Sequence, residues 1–211
     1  MKFDGGIEKK YRKSIEDAFA TIIEKGDDRH RAVMNDIVAS EMLIRVQPVA
    51  EINASGRTGL ISSIATNVRL LRERLSLGDA LAEIYIVIAE ETLASQRGCE
   101  GTFVHEGRHA YDFAQTLVSR SNADFNPLGV FDPTLYELEW EAHITAGNYM
   151  LCINKPDYLD EGLQLMILGQ SADGSYFLNE DGIKQRLRDS YGLALDGNVG
   201  SLASEMMGLR I

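Results

Sequence analysis

The sequence predicts an α+β fold that is mainly helical and carries a small mixed sheet. Two observations indicate this class. Segments with apolar residues three and four positions apart recur along the chain, a pattern typical of helices that bury one face. Between them lies a near-continuous apolar run, Ile84–Ala89, whose β-branched and aromatic residues favour a buried strand. We expect the sheet to pack on the helix that follows this run.

Length and composition predict one domain spanning residues 1–211, because 45% hydrophobic residues suffice for a sizeable core. The net charge of −11, without a basic stripe, argues against nucleic acid and anionic membranes as partners. Cys99 and Cys152 are the only cysteines, so no disulfide framework or thiolate metal site is predicted. No signal peptide or apolar run of about 18 residues is present. We therefore expect a soluble, cytoplasmic protein.

Residues 1–40 are predicted to form a scaffold of two amphipathic helices that separate at Gly26. Asp27 and Asp28 are suited to cap the second helix. His30 lies between two arginines, and we expect it to be exposed rather than to bind a metal.

The next segments change pattern and indicate the start of the sheet. Residues 42–49 favour a strand, residues 53–59 are rich in turn-forming residues, and residues 60–64 are expected to pair back as a short second strand. Residues 67–75 carry a basic cluster and are ambiguous between helix and strand.

A helix predicted from about residue 100 to 119 carries His105-Glu106-Gly107-Arg108-His109, the spacing His-Glu-x-x-His. Residues four apart lie one above the other on a helix, so His105 and His109 present two imidazoles to one point. Glu106 projects about 100° away, near enough to reach a water on a metal without being a ligand. The pattern indicates a metal site with Glu106 as a general base.

The same pattern can arise by chance on an exposed helix, where the polar groups would be solvated. The predicted core stripe of this helix nevertheless lies on another face from the histidines. It consists of Phe103, Ala110, Phe113, Ala114 and Leu117.

A third ligand is expected from a neighbouring element. Residues 122–131 read as a loop, and a helix is predicted over 134–152 with Asp132 as its cap and Pro133 at its first position. This helix offers Glu139, Glu141 and His143 as candidates. Glu139 and Glu141 are separated by about 200° around the helix, so only one of them can face the metal.

The motif at residues 105–109, followed 30 residues later (139 − 109) by Glu139-Trp140-Glu141-Ala142-His143, resembles the zincin metallopeptidases of the gluzincin type. The match covers about residues 82–150, which the resemblance identifies as the metal-site core of a zincin-like domain. It implies Zn²⁺ held by His105, His109 and Glu139, with Ala142 in the place of the family's small residue. His143 departs from the pattern, because an Asp or Asn is commoner there.

The resemblance implies a zinc-dependent hydrolase in which Glu106 activates a zinc-bound water. A metallopeptidase of narrow specificity, acting on a peptide or protein substrate, fits best. The alternative is a non-catalytic zincin-like binding or regulatory domain that retains the metal site; the intact Glu106 argues against it. The residue that would stabilise an oxyanion is left open among Tyr111, Tyr136, Tyr158, Tyr176 and His143.

The C-terminal quarter is predicted to hold a helix over 159–168, a short strand or a helix cap over 175–178, and a polar helix over 181–191. Residues 192–211 contain four glycines and show little periodicity, so we expect this tail to pack loosely or to be partly disordered.

Overall fold

Helices surround a small mixed sheet in the computed structural model, which describes residues 1–61, 74–121 and 129–209. The helices in these ranges are α1 (Lys9–Lys25), α2 (Asp28–Ala39), α3 (Val49–Ile52), α4 (Leu77–Ala82), α5 (Gln96–Ser121), α6 (Leu135–Ile153), α7 (Pro156–Gln164), α8 (Glu180–Tyr191) and α9 (Ala203–Met206). The strands are β1 (Lys2–Phe3), β2 (Leu43–Gln47), β3 (Gly56–Leu60), β4 (Ile84–Ala89), β5 (Leu168–Gln170) and β6 (Tyr176–Leu178). Within the described ranges, no helix combines the length and the apolar character needed to cross a bilayer.

The main sheet has the strand order β1-β2-β4-β3 and confirms the predicted α+β class with a small mixed sheet. β1, β2 and β4 are parallel, whereas β3 pairs antiparallel with β4 and forms one edge. Ile84, Ile86 and Ile88 of β4 are fully buried, as the apolar run predicts. The sheet packs on α5 through β3 and β4, which places the motif helix directly beneath the edge strand.

The edge strand β3 lies where the sequence predicted a turn. Glycine is unfavourable in an ordinary strand, but here it permits close approach of neighbouring atoms. A Cβ atom at Gly59 would lie 2.8 Å from the Tyr85 hydroxyl, and one at Gly56 would lie 2.6 Å from Cγ2 of Thr102 on α5. The prediction of a turn over 53–59 was therefore wrong from residue 56 onward.

Four predictions extend into residues that the structure does not describe. These are residues 62–64 of the strand predicted at 60–64, residues 67–73 of the ambiguous segment, residues 122–128 of the predicted loop and residues 210–211 of the predicted tail.

The two helices that carry the motif residues are fixed at their N-terminal ends by side chains. The Ser95 hydroxyl accepts a hydrogen bond from the Gly98 amide at 3.0 Å, so α5 begins four residues earlier than predicted. Thr134 caps α6 in a capping box with Glu137. Asp132 is not the cap: its carboxylate is ion-paired with Arg120 and accepts the Ser204 amide instead.

His30 is buried, which contradicts the prediction that it is exposed. Its Nδ1 accepts the Asp27 amide at 3.1 Å, and its Nε2 donates to the Thr145 carbonyl oxygen at 2.9 Å. The imidazole therefore serves the predicted Asp27 cap of α2 and links that helix to α6.

The segment after Gly192 is packed rather than loose as far as residue 209. Leu193, Ala203, Met207 and Leu209 are buried. Amides of Leu135 and Tyr136 donate to carbonyl oxygens of this segment, so its main chain is fixed against the start of α6. Its low periodicity reflects an irregular path, which needs no helical pattern to bury apolar side chains.

A buried carboxylate links α5 to the C-terminal helices. Glu100 accepts hydrogen bonds from Gln96 and from two tyrosine hydroxyls, Tyr149 at 2.5 Å and Tyr158 at 2.6 Å. Burial, together with the bonds to Glu100, raises the pKa of both tyrosines, so both remain donors across the physiological range.

Removing one of these donors should destabilise the fold. We expect Tyr149→Phe to lower the free energy of unfolding by about 1–3 kcal/mol, because a buried carboxylate loses a short hydrogen bond. Urea denaturation followed by circular dichroism measures the change. Tyr11→Phe is the control, since the Tyr11 hydroxyl makes only a 3.4 Å contact with Glu90; an equal effect of the two variants would contradict the role given to Glu100.

Adding one methyl group to β3 should strain the contact between strand and motif helix. A Cβ at residue 56 would meet Thr102 at 2.6 Å and Cγ of Glu106 at 2.9 Å, so we expect Gly56→Ala to cost about 1–3 kcal/mol. Gly101→Ala is the matched control on α5, where no atom lies within 4 Å of the added methyl. It should stabilise the protein by up to about 1 kcal/mol. Thermal unfolding of both variants tests whether Gly56→Ala lowers the stability while Gly101→Ala raises it.

Candidate metal centre

The crossing of α5 and α6 brings two imidazoles and one carboxylate together. Nε2 of His105 and Nε2 of His109 lie 3.1 Å apart. Oε2 of Glu139 lies 3.5 Å from the His105 nitrogen, and Oε1 lies 3.4 Å from the His109 nitrogen. The three residues singled out from the sequence are therefore neighbours in space, each with a donor atom turned toward the others.

These separations match those of ligands around a small cation. Zinc bonds to imidazole nitrogen and carboxylate oxygen measure about 2.0–2.1 Å, so a tetrahedral centre separates its donor atoms by about 3.3 Å. The observed 3.1, 3.4 and 3.5 Å lie around that value. Two nitrogens and one oxygen are also a donor set that zinc accepts.

The Glu139 carboxylate is well suited to face a cation. Burial opposes its ionisation, but the adjacent His105 and His109 outweigh burial and lower its pKa. Oε2 is buried and has no hydrogen-bond partner among the described residues. A buried carboxylate oxygen without a partner is costly, and a bound cation would remove that cost.

The two rival third ligands are engaged elsewhere. Glu141 is more exposed, and its carboxylate lies 3.8 Å from the Arg108 guanidinium. His143 is buried, with Nδ1 donating to the Glu139 carbonyl oxygen at 2.7 Å and Nε2 accepting from Arg186 Nε at 3.1 Å. Burial and the neighbouring His105 lower the pKa of His143 to about 4, which keeps the ring neutral.

Glu106, the predicted base, lies beside the cluster and not in it. Its side chain is largely buried, and Oε2 accepts a hydrogen bond from the Thr58 hydroxyl on β3 at 2.7 Å. The edge strand thus fixes one carboxylate oxygen while Glu106 lines the open space next to His105. Thr58 was missed in the sequence because it lies in a segment predicted as a turn.

A third carboxylate, that of Asp112, acts on His109. Asp112 is buried and accepts a 2.9 Å hydrogen bond from Arg108 through Oδ2. Its Oδ1 and the Nδ1 of His109 both have no hydrogen-bond partner among the described residues. Burial lowers the pKa of His109, but Glu139, Glu106 and Asp112 outweigh it and raise the pKa. Asp112 therefore acts electrostatically on an imidazole of the cluster.

Two cavities meet at the cluster. One, of about 370 Å³, contains Arg97, Glu161 and Arg186 in its wall; the other, of about 280 Å³, contains Phe113, Leu138 and Met206. Both are lined by Ala54, Gly56, His105, Glu106 and Tyr191. A ligand crossing from one cavity to the other would therefore pass Glu106 and the candidate ligands.

Tyr191, at the end of α8, was not among the tyrosines considered from the sequence. Burial, and then the charge of Glu139, raise the pKa of Tyr191 to about 12, so its hydroxyl remains a donor. The hydroxyl of Tyr158 is committed to Glu100, and Tyr136 stacks on Trp140 with centroids 6.2 Å apart. No local motif marks Tyr191, which lies 82 residues (191 − 109) beyond His109.

Asp27, His30 and Cys152 form another group of closely spaced potential ligand atoms among the described residues. Both ring nitrogens of His30 already have backbone partners. This group therefore has no free imidazole to offer a metal.

Comparison with known proteins adds no relative: no family model matches the chain, and neither the curated proteins nor the solved structures gave a match. The residues of the site themselves therefore carry the functional argument.

Proposed function

We propose that the protein is a zinc-dependent hydrolase, and specifically a metallopeptidase of narrow specificity with a gluzincin-like site. The observation that carries this proposal is the convergence of His105, His109 and Glu139 at 3.1–3.5 Å, with Glu106 beside them. A chance motif on an exposed helix would leave these groups solvated, whereas Glu106 and His109 are buried.

In this proposal His105, His109 and Glu139 hold the zinc ion. When bound, zinc supplies a Lewis acid that polarises a carbonyl group and lowers the pKa of a coordinated water to about 7. The unpartnered Oε2 of Glu139 and the close pair of imidazole nitrogens support this assignment.

Glu106 moves the proton. One of its oxygens is held by the Thr58 hydroxyl, which leaves the other free to accept a proton from the attacking water. The same carboxyl group then donates that proton to the leaving amine. Thr58 orients the carboxylate, and the tight contact between Gly56 and Glu106 restricts its motion.

Tyr191 is the proposed oxyanion donor. Its hydroxyl group stays protonated and belongs to a residue that lines both cavities beside Glu106. A neutral donor positioned there stabilises negative charge that develops on the scissile carbonyl oxygen. His143 does not fill this role in the proposal, because both of its nitrogens have protein partners.

A peptide substrate is supported by the shape of the site. The two cavities that Glu106 lines can hold residues on either side of a scissile bond, one in a polar and one in an apolar environment. Such paired subsites favour particular sequences, which supports narrow specificity.

If Glu139 is a zinc ligand, zinc binding should depend on the Glu139 carboxylate and not on that of Glu141. We expect the purified wild-type protein to bind one zinc ion, and Glu139→Gln to lower the affinity by more than about 100-fold, beyond the effect typical of a residue that only supports a ligand. Competition with a chromogenic chelator measures the affinity. Glu141→Gln, on the same helix, should bind zinc as tightly as the wild type; a larger loss in Glu141→Gln than in Glu139→Gln would refute the assignment.

The role of Glu106 predicts a separation of binding from catalysis. Glu106→Gln should keep stoichiometric zinc but lower kcat for peptide hydrolysis by about 10²–10⁴-fold, because the amide cannot accept the proton. A peptide library analysed by mass spectrometry finds the substrate, and steady-state kinetics then compare the variants. Undiminished hydrolysis by Glu106→Gln would rule out the proposed mechanism. Full zinc loading without any cleavage by the wild type would instead favour the non-catalytic binding domain.

A further inference from the structure

Arg186 of α8 lies in the wall of the 370 Å³ cavity, which His105 and Glu106 of the motif helix also line. Its Nε donates to His143 Nε2 at 3.1 Å, which fixes the orientation of the planar guanidinium. The guanidinium also interacts with the Tyr191 hydroxyl. The side chain is partly buried, so it is held in place rather than free in solvent.

The acidic groups of the site do not neutralise Arg186. Glu161, in the same cavity, is ion-paired with Arg97 at 2.7 Å. Glu139 faces the two histidines, and Glu106 accepts from Thr58. Within residues 1–61, 74–121 and 129–209, no carboxylate is ion-paired with Arg186, whose Nε hydrogen bond goes to His143.

An arginine with a fixed fork and no acidic partner is suited to bind a carboxylate. The guanidinium offers parallel N–H donors that match the two oxygens of a carboxylate, and such bidentate pairs are among the strongest hydrogen bonds in proteins. The anchoring of Nε on a neutral imidazole leaves the terminal nitrogens available to a ligand, apart from the contact with Tyr191. Partial exclusion of water from the cavity strengthens the attraction.

The lining of the 280 Å³ cavity indicates which kind of residue the other part of the ligand would carry. Its wall includes the apolar side chains of Phe113, Leu135, Leu138 and Met206. A peptide whose scissile bond lies at Glu106 would thus place an apolar residue in this cavity and a negatively charged group near Arg186.

We propose that Arg186 binds a carboxylate of the peptide substrate, either the chain terminus or an acidic side chain, and so determines specificity. The proposal rests on the proposed function, since it takes the bond next to Glu106 as the scissile one.

Calorimetric titration of the metal-free 211-residue chain tests the proposal without interference from hydrolysis. Three N-acetylated tripeptides serve as probes: Phe-Ala-Ala with a free carboxylate, the same peptide as its C-terminal amide, and Phe-Ala-Asp as its C-terminal amide. We expect at least one carboxylate probe to bind about tenfold or more tightly than the neutral amide. Preference for the first probe identifies a chain terminus, and preference for the third an acidic side chain.

Two variants test whether Arg186 causes the preference for carboxylate probes. Arg186→Met should abolish it, and Arg186→Lys should reduce it, because lysine keeps the charge but loses the fork. Arg188→Met is the control for lost charge on the same helix, since Arg188 is exposed and lies 3.7 Å from Asp196; it should leave the preference unchanged. Circular dichroism verifies that the variants are folded. If Arg186→Met is unfolded, the loss of preference in Arg186→Lys serves as the test.

The outcomes are distinguishable from failure of the metal site. Equal binding of all three probes to the wild type, absence of binding, or a preference that survives in Arg186→Lys and Arg186→Met would overturn the proposal. Zinc titration of the same samples reports separately on His105, His109 and Glu139. A protein that binds no zinc but prefers the carboxylate probes would refute the proposed hydrolase and retain the carboxylate site.

Discussion

The packing of α6 against α5 is the constraint on which the rest of the site depends. Helical spacing alone aligns His105 with His109, but a carboxylate from another helix meets them only in one register of the two helices. The fully buried Ala142 lies one turn from Glu139 and allows close approach. The capping box at Thr134 fixes the start of α6. Near the C-terminal end of α6, the Tyr149 hydroxyl donates a hydrogen bond to the buried Glu100 of α5.

Charge explains why this register suits a cation. Glu106, Glu139 and Asp112 lie in or beside the cluster, whereas Arg108 is committed to Asp112 and Arg186 faces the open cavity. A dication held by the two histidines and Glu139 would balance the excess of acidic groups near the crossing of the helices. Arg186 is separated from that position by His143 and remains available to a ligand. The site thus combines a region that favours a cation with a cavity wall that favours an anion.

The parts of the molecule that local patterns specify could be predicted from the sequence. Apolar periodicity indicated the long helices, the run at Ile84–Ala89 identified the central strand, and the spacing of the motif placed His105 and His109 on one face. Prediction from the sequence failed where a residue's role depends on a partner that is distant along the chain. Gly56 reads as a turn former until Glu106 is brought against it, and Tyr191 and Arg186 carry no motif because their relation to the site arises from folding. The tail was mistaken for loose chain because irregular segments bury apolar residues without periodicity.

Anomalous X-ray diffraction at the zinc absorption edge, from crystals of the zinc-loaded protein, would locate the ion and identify its ligands. We expect one anomalous peak at about 2.0–2.2 Å from His105 Nε2, His109 Nε2 and a Glu139 oxygen, with Glu106 not coordinated to the ion. A peak coordinated by Glu141 or His143 in place of Glu139, or no peak between α5 and α6, would contradict the proposed zinc site.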